Sequence, residues 1–273
     1  MNFAQESGTT TPAPMPASTA TRRKRRCALL CCSLACLLLP AAAARAQRVR
    51  PLPSPGAPPW EAQHFPKVER HTRYEVIRAT AGGPSLRSQS DCSASGFVLP
   101  LDDVDLTETP RLSWRWRIHH GLQNEDEQAK AGDDFAARVY VIFAYDPRRV
   151  SWMERAARRA AALLFGRDLP GEAINYVWAS HVRVGEHWPN PFTDAARMVS
   201  LRTHSFAPDA SSWHSETVDL LADRLALLGE PLPRVEAIAV MTDTDNSCRS
   251  ASAEFADFRL LGDLTDLPAA HGN

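Results

Sequence analysis

The chain has 273 residues, 44% of them hydrophobic and 23% charged, an ordinary balance for a globular protein. This is enough for one sizeable β domain or two small ones, and one domain is the expectation. With 31 basic and 32 acidic residues the formal charge is −1, so the totals give no general attraction to nucleic acid or anionic lipid.

Residues 1–46 have the three parts of a signal peptide. Arg22 to Arg26 form a basic start, Cys27 to Leu39 an apolar run too short to span a bilayer comfortably, and Ala44-Arg45-Ala46 a small-residue cleavage site. Cleavage after Ala46 and a periplasmic or secreted location are expected; the alternative is an uncleaved anchor lengthened through the alanines. The leader carries six basic residues and one acidic one, so the remainder has a net charge of about −6. It also holds four of the six cysteines. Cys92 and Cys248 are left, as one disulfide in an oxidising compartment or as two separate buried thiols.

Residues 47–59 are proline-rich and read as a tether or wrapping arm, 60–263 as a single domain and 264–273 as a frayed tail. Strands are expected at Arg73 to Ala79 and Ser95 to Leu99, and at Arg111 to Ile118, where Leu112, Trp114, Trp116 and Ile118 face inward. The central strand, Gly132 to Asp146, puts Phe135, Ala137, Val139, Val141 and Phe143 on a core face. Asp134, Ala136, Arg138, Tyr140 and Ile142 fall on the other face. Ser151 to Phe165 forms a basic helix with a Ser151/Glu154 capping box, suited to a lid or to membrane-surface contact. Ile174 to His181, Arg197 to Arg202, His214 to Leu220, Val235 to Thr242 and Glu254 to Leu261 complete the strands. A short helix spans Leu220 to Leu228, with Leu221, Leu225 and Leu228 on one face. Many short strands and two helices predict an antiparallel β-sandwich.

Three constellations could carry chemistry. The loop Asp243-Thr244-Asp245-Asn246-Ser247, with Glu254 at an EF-type position, could converge on calcium, but it has no turn glycine; otherwise its side chains cap a turn. Asp133 or Asp134 with Asp243 or Asp245 could form the acid/base pair of a glycoside hydrolase; otherwise they neutralise Arg138, Arg115 or Arg117. Tyr176 and Trp178 share a strand face opposite Asn175 and Val177, as a ligand platform or as core.

The residues Trp114-Arg115-Trp116-Arg117, GDDFAARVYVIF (132–143), INYVWAS (174–180), Trp188-Pro189-Asn190-Pro191-Phe192 and MTDTDN (241–246) together resemble a family of secreted bacterial proteins, domain-of-unknown-function family 3047. The resemblance runs from about Trp60 to Leu261 and brings no established activity. Cys248 stands where that family usually has a glycine, which favours a local disulfide over a cation-binding turn. A looser, fold-level likeness to galactose-binding-like jelly rolls rests on Trp213, Ile238, Val240, Asp257 and Leu260. It implies a jelly-roll sandwich, often with a structural calcium, that binds sugars or other polar ligands.

The expected function is therefore non-catalytic binding of a polar small molecule or glycan, such as a cell-envelope component. The expected site is a single face bearing Arg115, Arg117, Asp134, Arg138, Tyr140, Trp178 and Asp243, with no cofactor beyond a candidate calcium and with a Cys92–Cys248 disulfide. The alternatives are an envelope hydrolase using paired carboxylates and a structural envelope protein docked through the basic helix.

Overall fold

The structure is a computed structural model describing residues 48–78, 83–145, 171–230 and 234–262, apart from the side chains of residues 102 and 103. The expected leader, the Ser151 to Phe165 helix and the C-terminal tail lie outside the described residues.

In chain order the strands are β1 (Arg48–Pro51), β2 (Glu61–Gln63), β3 (Arg73–Arg78), β4 (Pro84–Asp91), β5 (Gly96–Val104), β6 (Arg111–His120) and β7 (Arg138–Phe143). There follow β8 (Ala173–Trp178), β9 (His187–Pro189), β10 (Ala196–Arg202), β11 (His214–Asp219), β12 (Val235–Met241) and β13 (Ser250–Gly262). They form two sheets of a β-sandwich. The six-stranded sheet runs β11, β6, β13, β4, β3, with β1 also on β13; the seven-stranded sheet runs β2, β5, β12, β7, β8, β10, β9. Every pairing is antiparallel except β8 with β10, which run parallel. The parallel pair arises because the chain makes the short edge strand β9 before returning beside β8.

The core lies between the sheets, where alternation places it. On β6, Leu112, Trp114, Trp116 and Ile118 are buried as expected, and the two indoles meet edge to face at 5.4 Å. Val139, Val141 and Phe143 of β7 and Ile238 and Val240 of β12 pack against them from the other sheet. Fully burying side chains of this size stabilises by roughly 1.5–3 kcal/mol each. At one end of the sandwich, hydroxyls bridge the sheets instead: Ser88 meets Thr242 at 2.6 Å and Ser90 meets Thr244 at 2.7 Å. These pairs let serines and threonines be buried with partners.

The short helix α1 (Leu220–Leu227) starts at Asp219, whose carboxylate accepts from the Ala222 N–H at 2.8 Å. Its fully buried residues are Leu220 and Arg224; of the three leucines expected on one face, Leu221 and Leu228 pack against the core and Leu225 is exposed. Arg224 changes the periodicity because it donates to the Gly229 carbonyl and to Glu172. The prolyl stretch lies along the body: Leu52 donates its N–H to the Phe258 carbonyl at 3.0 Å, and Trp60 packs 5.6 Å from the Phe258 ring.

Cys92 and Cys248 are joined, linking the β4–β5 connection to the β12–β13 loop. Both adopt positive φ, 47° and 52°, uncommon away from glycine.

Candidate functional site

The central strand starts later than expected. Residues 133–137 are a bend leading into β7, so extending the alternation back from Arg138 assigns these positions wrongly. Phe135 packs with Val177, Ala179, Trp188 and Met198 on the outer side of the seven-stranded sheet, not in the main core. Gly132 opens the bend because a Cβ there would lie 1.9 Å from the Asp126 carbonyl oxygen.

At the end of this bend Arg138, 1% exposed, gathers the acids. Its guanidinium donates Nε–H to Asp243 Oδ1 at 2.7 Å and a second, shorter bond from Nη2 to Asp243 Oδ2. Nη2 also donates to the Asp133 carbonyl at 2.7 Å, while Nη1 donates to the Tyr140 hydroxyl at 3.2 Å and lies 3.5 Å from Asp133 Oδ2. The bidentate pairing of Arg138 with Asp243 is the stronger kind of buried ion pair. Asp134 takes no part in it. Its carboxylate accepts from the Asn246 N–H and amide at 3.2 and 3.1 Å and from the Ser247 N–H at 2.6 Å, fixing the β12–β13 loop. Burial pushes the Asp133 carboxyl up against the pull of Arg138. Burial likewise raises the Tyr140 phenol, which keeps its proton for donation.

Register extends this cluster into a row across the outer face of the seven-stranded sheet. Val98, Ala239, Tyr140, Asn175, Met198 and Trp188 are successive cross-strand neighbours. Tyr140 and Val98 are half-buried, and Asn175 and Met198 are fully buried. Several polar groups here have no hydrogen-bond partner: Asn175 Oδ1, Trp188 Nε1 and Asp133 Oδ1. The Asn175 side chain bonds the Tyr140 hydroxyl, and its amide nitrogen also lies 3.2 Å from the Met198 sulfur, with that of Asn190 at 3.4 Å. A thioether is a weak acceptor.

The single face expected from sequence is divided. Arg115 and Arg117 are on the six-stranded sheet, so they cannot join Arg138. Their outward face is neutralised locally: Arg115 Nε and Nη2 both lie 2.6 Å from Asp257 Oδ2, and Arg117 Nη2 donates to Glu254 at 2.9 Å. Asp257 reaches Arg115 from a bulge in β13, where its φ is +57°. Glu254 also bonds His119 at 2.7 Å and Ser85, and so lies apart from the 243–247 loop in an EF-type sense. Trp213 sits under both guanidiniums, 4.9 and 4.6 Å from its ring centre. Trp178 shares a face with Tyr176 as expected, but that face is the core. It is 3% exposed, packs 5.6 Å from Trp116 and donates Nε1–H to the Thr203 carbonyl. The tryptophan of this outer row is Trp188, across Met198 from Asn175, and its only sequence signal was its place in the WPNPF motif.

A second grouping lies beside Arg138. One carboxylate oxygen from each of Asp134, Asp243 and Asp245 falls within 4.8 Å of the others.

Solved structures with related folds include two family 11 carbohydrate-binding modules from Clostridium thermocellum. One, in complex with a beta-1,3-1,4-mixed-linked tetrasaccharide, has 12% identity and TM-score 0.42, covering 79% of this chain and 96% of that one. The other has 11% identity and TM-score 0.41, with coverage of 81% and 96%. A family 30 carbohydrate-binding module from the same organism has 11% identity and TM-score 0.38, with coverage of 80% and 95%. At these scores the likeness has no bearing on what this chain binds. No curated protein matches it. A family model described as "Protein of unknown function (DUF3047)" matches residues 58–259, well over half of the chain, and the chain belongs to that family.

Proposed function

We propose that the protein is an exported, non-catalytic binder of a polar ligand of carbohydrate type, held on the outer face of the seven-stranded sheet at Tyr140, Asn175 and Trp188. The observation that carries this reading is the set of unsatisfied polar groups along one cross-strand row, Asn175 Oδ1 as an acceptor and Trp188 Nε1 as a donor, on either side of Met198. A buried polar group left unpaired costs roughly 1–3 kcal/mol. Asn175 Oδ1 and Trp188 Nε1 are shielded from solvent, so a hydroxyl-rich ligand donates to the amide oxygen and accepts from the indole only once this row is uncovered, while Tyr140 offers a half-buried ring and a protonated hydroxyl at its edge. Asp134 and Asp243 are committed to the loop amides and to Arg138, which favours binding over hydrolysis by these acids. The signal-like leader and the Cys92–Cys248 bond support export.

Glycan-array screening of the purified protein, followed by calorimetry on the best oligosaccharide, tests the reading. Tyr140→Ala and Asn175→Ala should each weaken binding by about tenfold or more, the effect of losing one good contact. Trp213→Ala, on the other sheet, should leave affinity unchanged. Equal binding by all three variants, or no glycan bound by the parent protein, would sink it.

A further inference from the structure

Three carboxylates, those of Asp134, Asp243 and Asp245, meet at the junction of the 133–137 bend and the β12–β13 loop, with Asp133 adjacent in the chain. Asp133, Asp134 and Asp243 are buried, at 4%, 0% and 2% exposure, and Asp245 closes the group at the surface. Among the described residues, Arg138 is the cation bonded to this group, and it matches one of the four charges. Carboxylates are seldom buried in excess of their counter-charges, because desolvation and mutual repulsion both oppose it.

The spacing fits a missing cation. Calcium binds oxygen at about 2.3–2.6 Å, so two oxygens on one ion lie no more than about 5 Å apart. One oxygen from each of Asp134, Asp243 and Asp245 meets that limit, all within 4.8 Å of one another. Magnesium, at about 2.0–2.1 Å, needs a tighter and more regular set. The bonds already made leave room for an ion, since a carboxylate offers about four lone-pair sites. Asp243 Oδ1 accepts from Arg138 Nε–H and from the Phe135 N–H at 3.3 Å, whereas Oδ2 accepts from Arg138 alone, and Asp134 spends its bonds on the Asn246 and Ser247 donors that orient it.

A separate observation points to the same place. Asp133 has a side chain 5% exposed, and its Oδ1 has no hydrogen-bond partner. Its carboxylate lies within electrostatic reach of both Asp134 and Asp245. A buried, ionisable oxygen with no donor, beside three clustered carboxylates, is an acceptor awaiting a positive charge. Asp245, at the surface, leaves a way in for the ion and for the waters that would complete its coordination.

We infer that Asp134, Asp243 and Asp245, with Asp133 behind them, bind a divalent cation of calcium type that pins the β12–β13 loop to the start of β7. This does not depend on the ligand row at Tyr140 and Asn175, and it uses neither Glu254 nor an EF-type loop.

The test is calorimetric titration of CaCl2, and separately MgCl2, into the full-length protein after chelator treatment, with melting curves in calcium and in EDTA. Calcium should bind at one site with a dissociation constant below about 1 mM, and excess calcium should raise the melting temperature by several degrees. Asp245→Asn, at an exposed position, should melt like the parent in EDTA but bind calcium about tenfold or more weakly. Asp133→Asn should weaken it in the same direction. No heat and no melting shift at about 10 mM calcium, or unchanged affinity in Asp245→Asn, would overturn the site. Magnesium binding as tightly as calcium would overturn the choice of ion.

Discussion

The outer faces of the two sheets both carry arginines, acids and an aromatic ring, yet they are put together differently. On the six-stranded sheet, Arg115 and Asp257, and Arg117, His119 and Glu254, are matched within the same face, and Trp213 lies under the two guanidiniums. On the seven-stranded sheet, Arg138 is almost wholly buried, more acids than cations surround it, and Asn175, Trp188 and Asp133 hold polar atoms with no partner. A charged face whose acids and arginines are paired, even with Arg87 Nε left without a partner, is scaffold. A buried one left incomplete is where a ligand or ion has something to add.

Three measurements can break or sharpen this contrast. The largest effect should come from Arg138→Met, which leaves Asp243 and Asp133 buried without their guanidinium and should cost about 4 kcal/mol in denaturant unfolding. A loss below about 1 kcal/mol would mean the acids find compensation elsewhere.

The next belongs to Glu254, 1% exposed. Burial pushes its carboxyl up, but Ser85, His119 and Arg117 outweigh burial and hold it at about 2, against an ordinary 4.5. A depressed carboxyl stabilises fully above its unfolded value and loses that contribution as pH falls through the folded one. The stabilisation, about 3 kcal/mol, should therefore be present above pH 5 and fade between about pH 4.5 and 2. Glu254→Gln should lose it at pH 7 and show a flatter acid limb in urea titrations at pH 7 and 2.5.

The smallest effect should be that of Trp213→Ala, about 1 kcal/mol for a partly exposed ring under two cations. A much larger loss would make this face core rather than surface.

Much of the fold was legible. Alternation in Arg111 to Ile118 located β6 and its inward face, because large apolar side chains alternate there with polar ones; the apolar run Val235 to Thr242 located β12, which is buried on both faces apart from Glu236. The face of β8 was harder. Tyr176 and Trp178 were correctly separated from Asn175 and Val177, but both faces of β8 are buried, so hydrophobicity could not say which one met the core. Asp134 was placed on the strand because the period-two pattern continues smoothly back to Gly132, although the chain bends there. The partition of the arginines between sheets depends on long-range pairing of β6 with β13 and of β7 with β12, which spacing along the chain does not encode. The Arg138–Asp243 contact was one of several acid–arginine pairings that the sequence left open, and the pairing of β7 with β12 selects it. Strands β1, β2, β4 and β9 were missed; β1 lies in the proline-rich stretch read as an arm, and β2 and β9 have only three residues each and no room for a pattern.

The Cys92–Cys248 link has a mechanical consequence. The two cysteines are 156 residues apart, and β1 lies antiparallel to the end of β13, with Arg48 opposite Gly262. Tension applied at these two ends would therefore act first on the β1–β13 ladder and peel it open pair by pair. Once that ladder gives, only the segments before Cys92 and after Cys248 can be drawn out, at roughly 3.5 Å per residue. Everything between the cysteines, including β6 to β12 and the acid cluster, stays inside a covalent loop that the pull cannot lengthen.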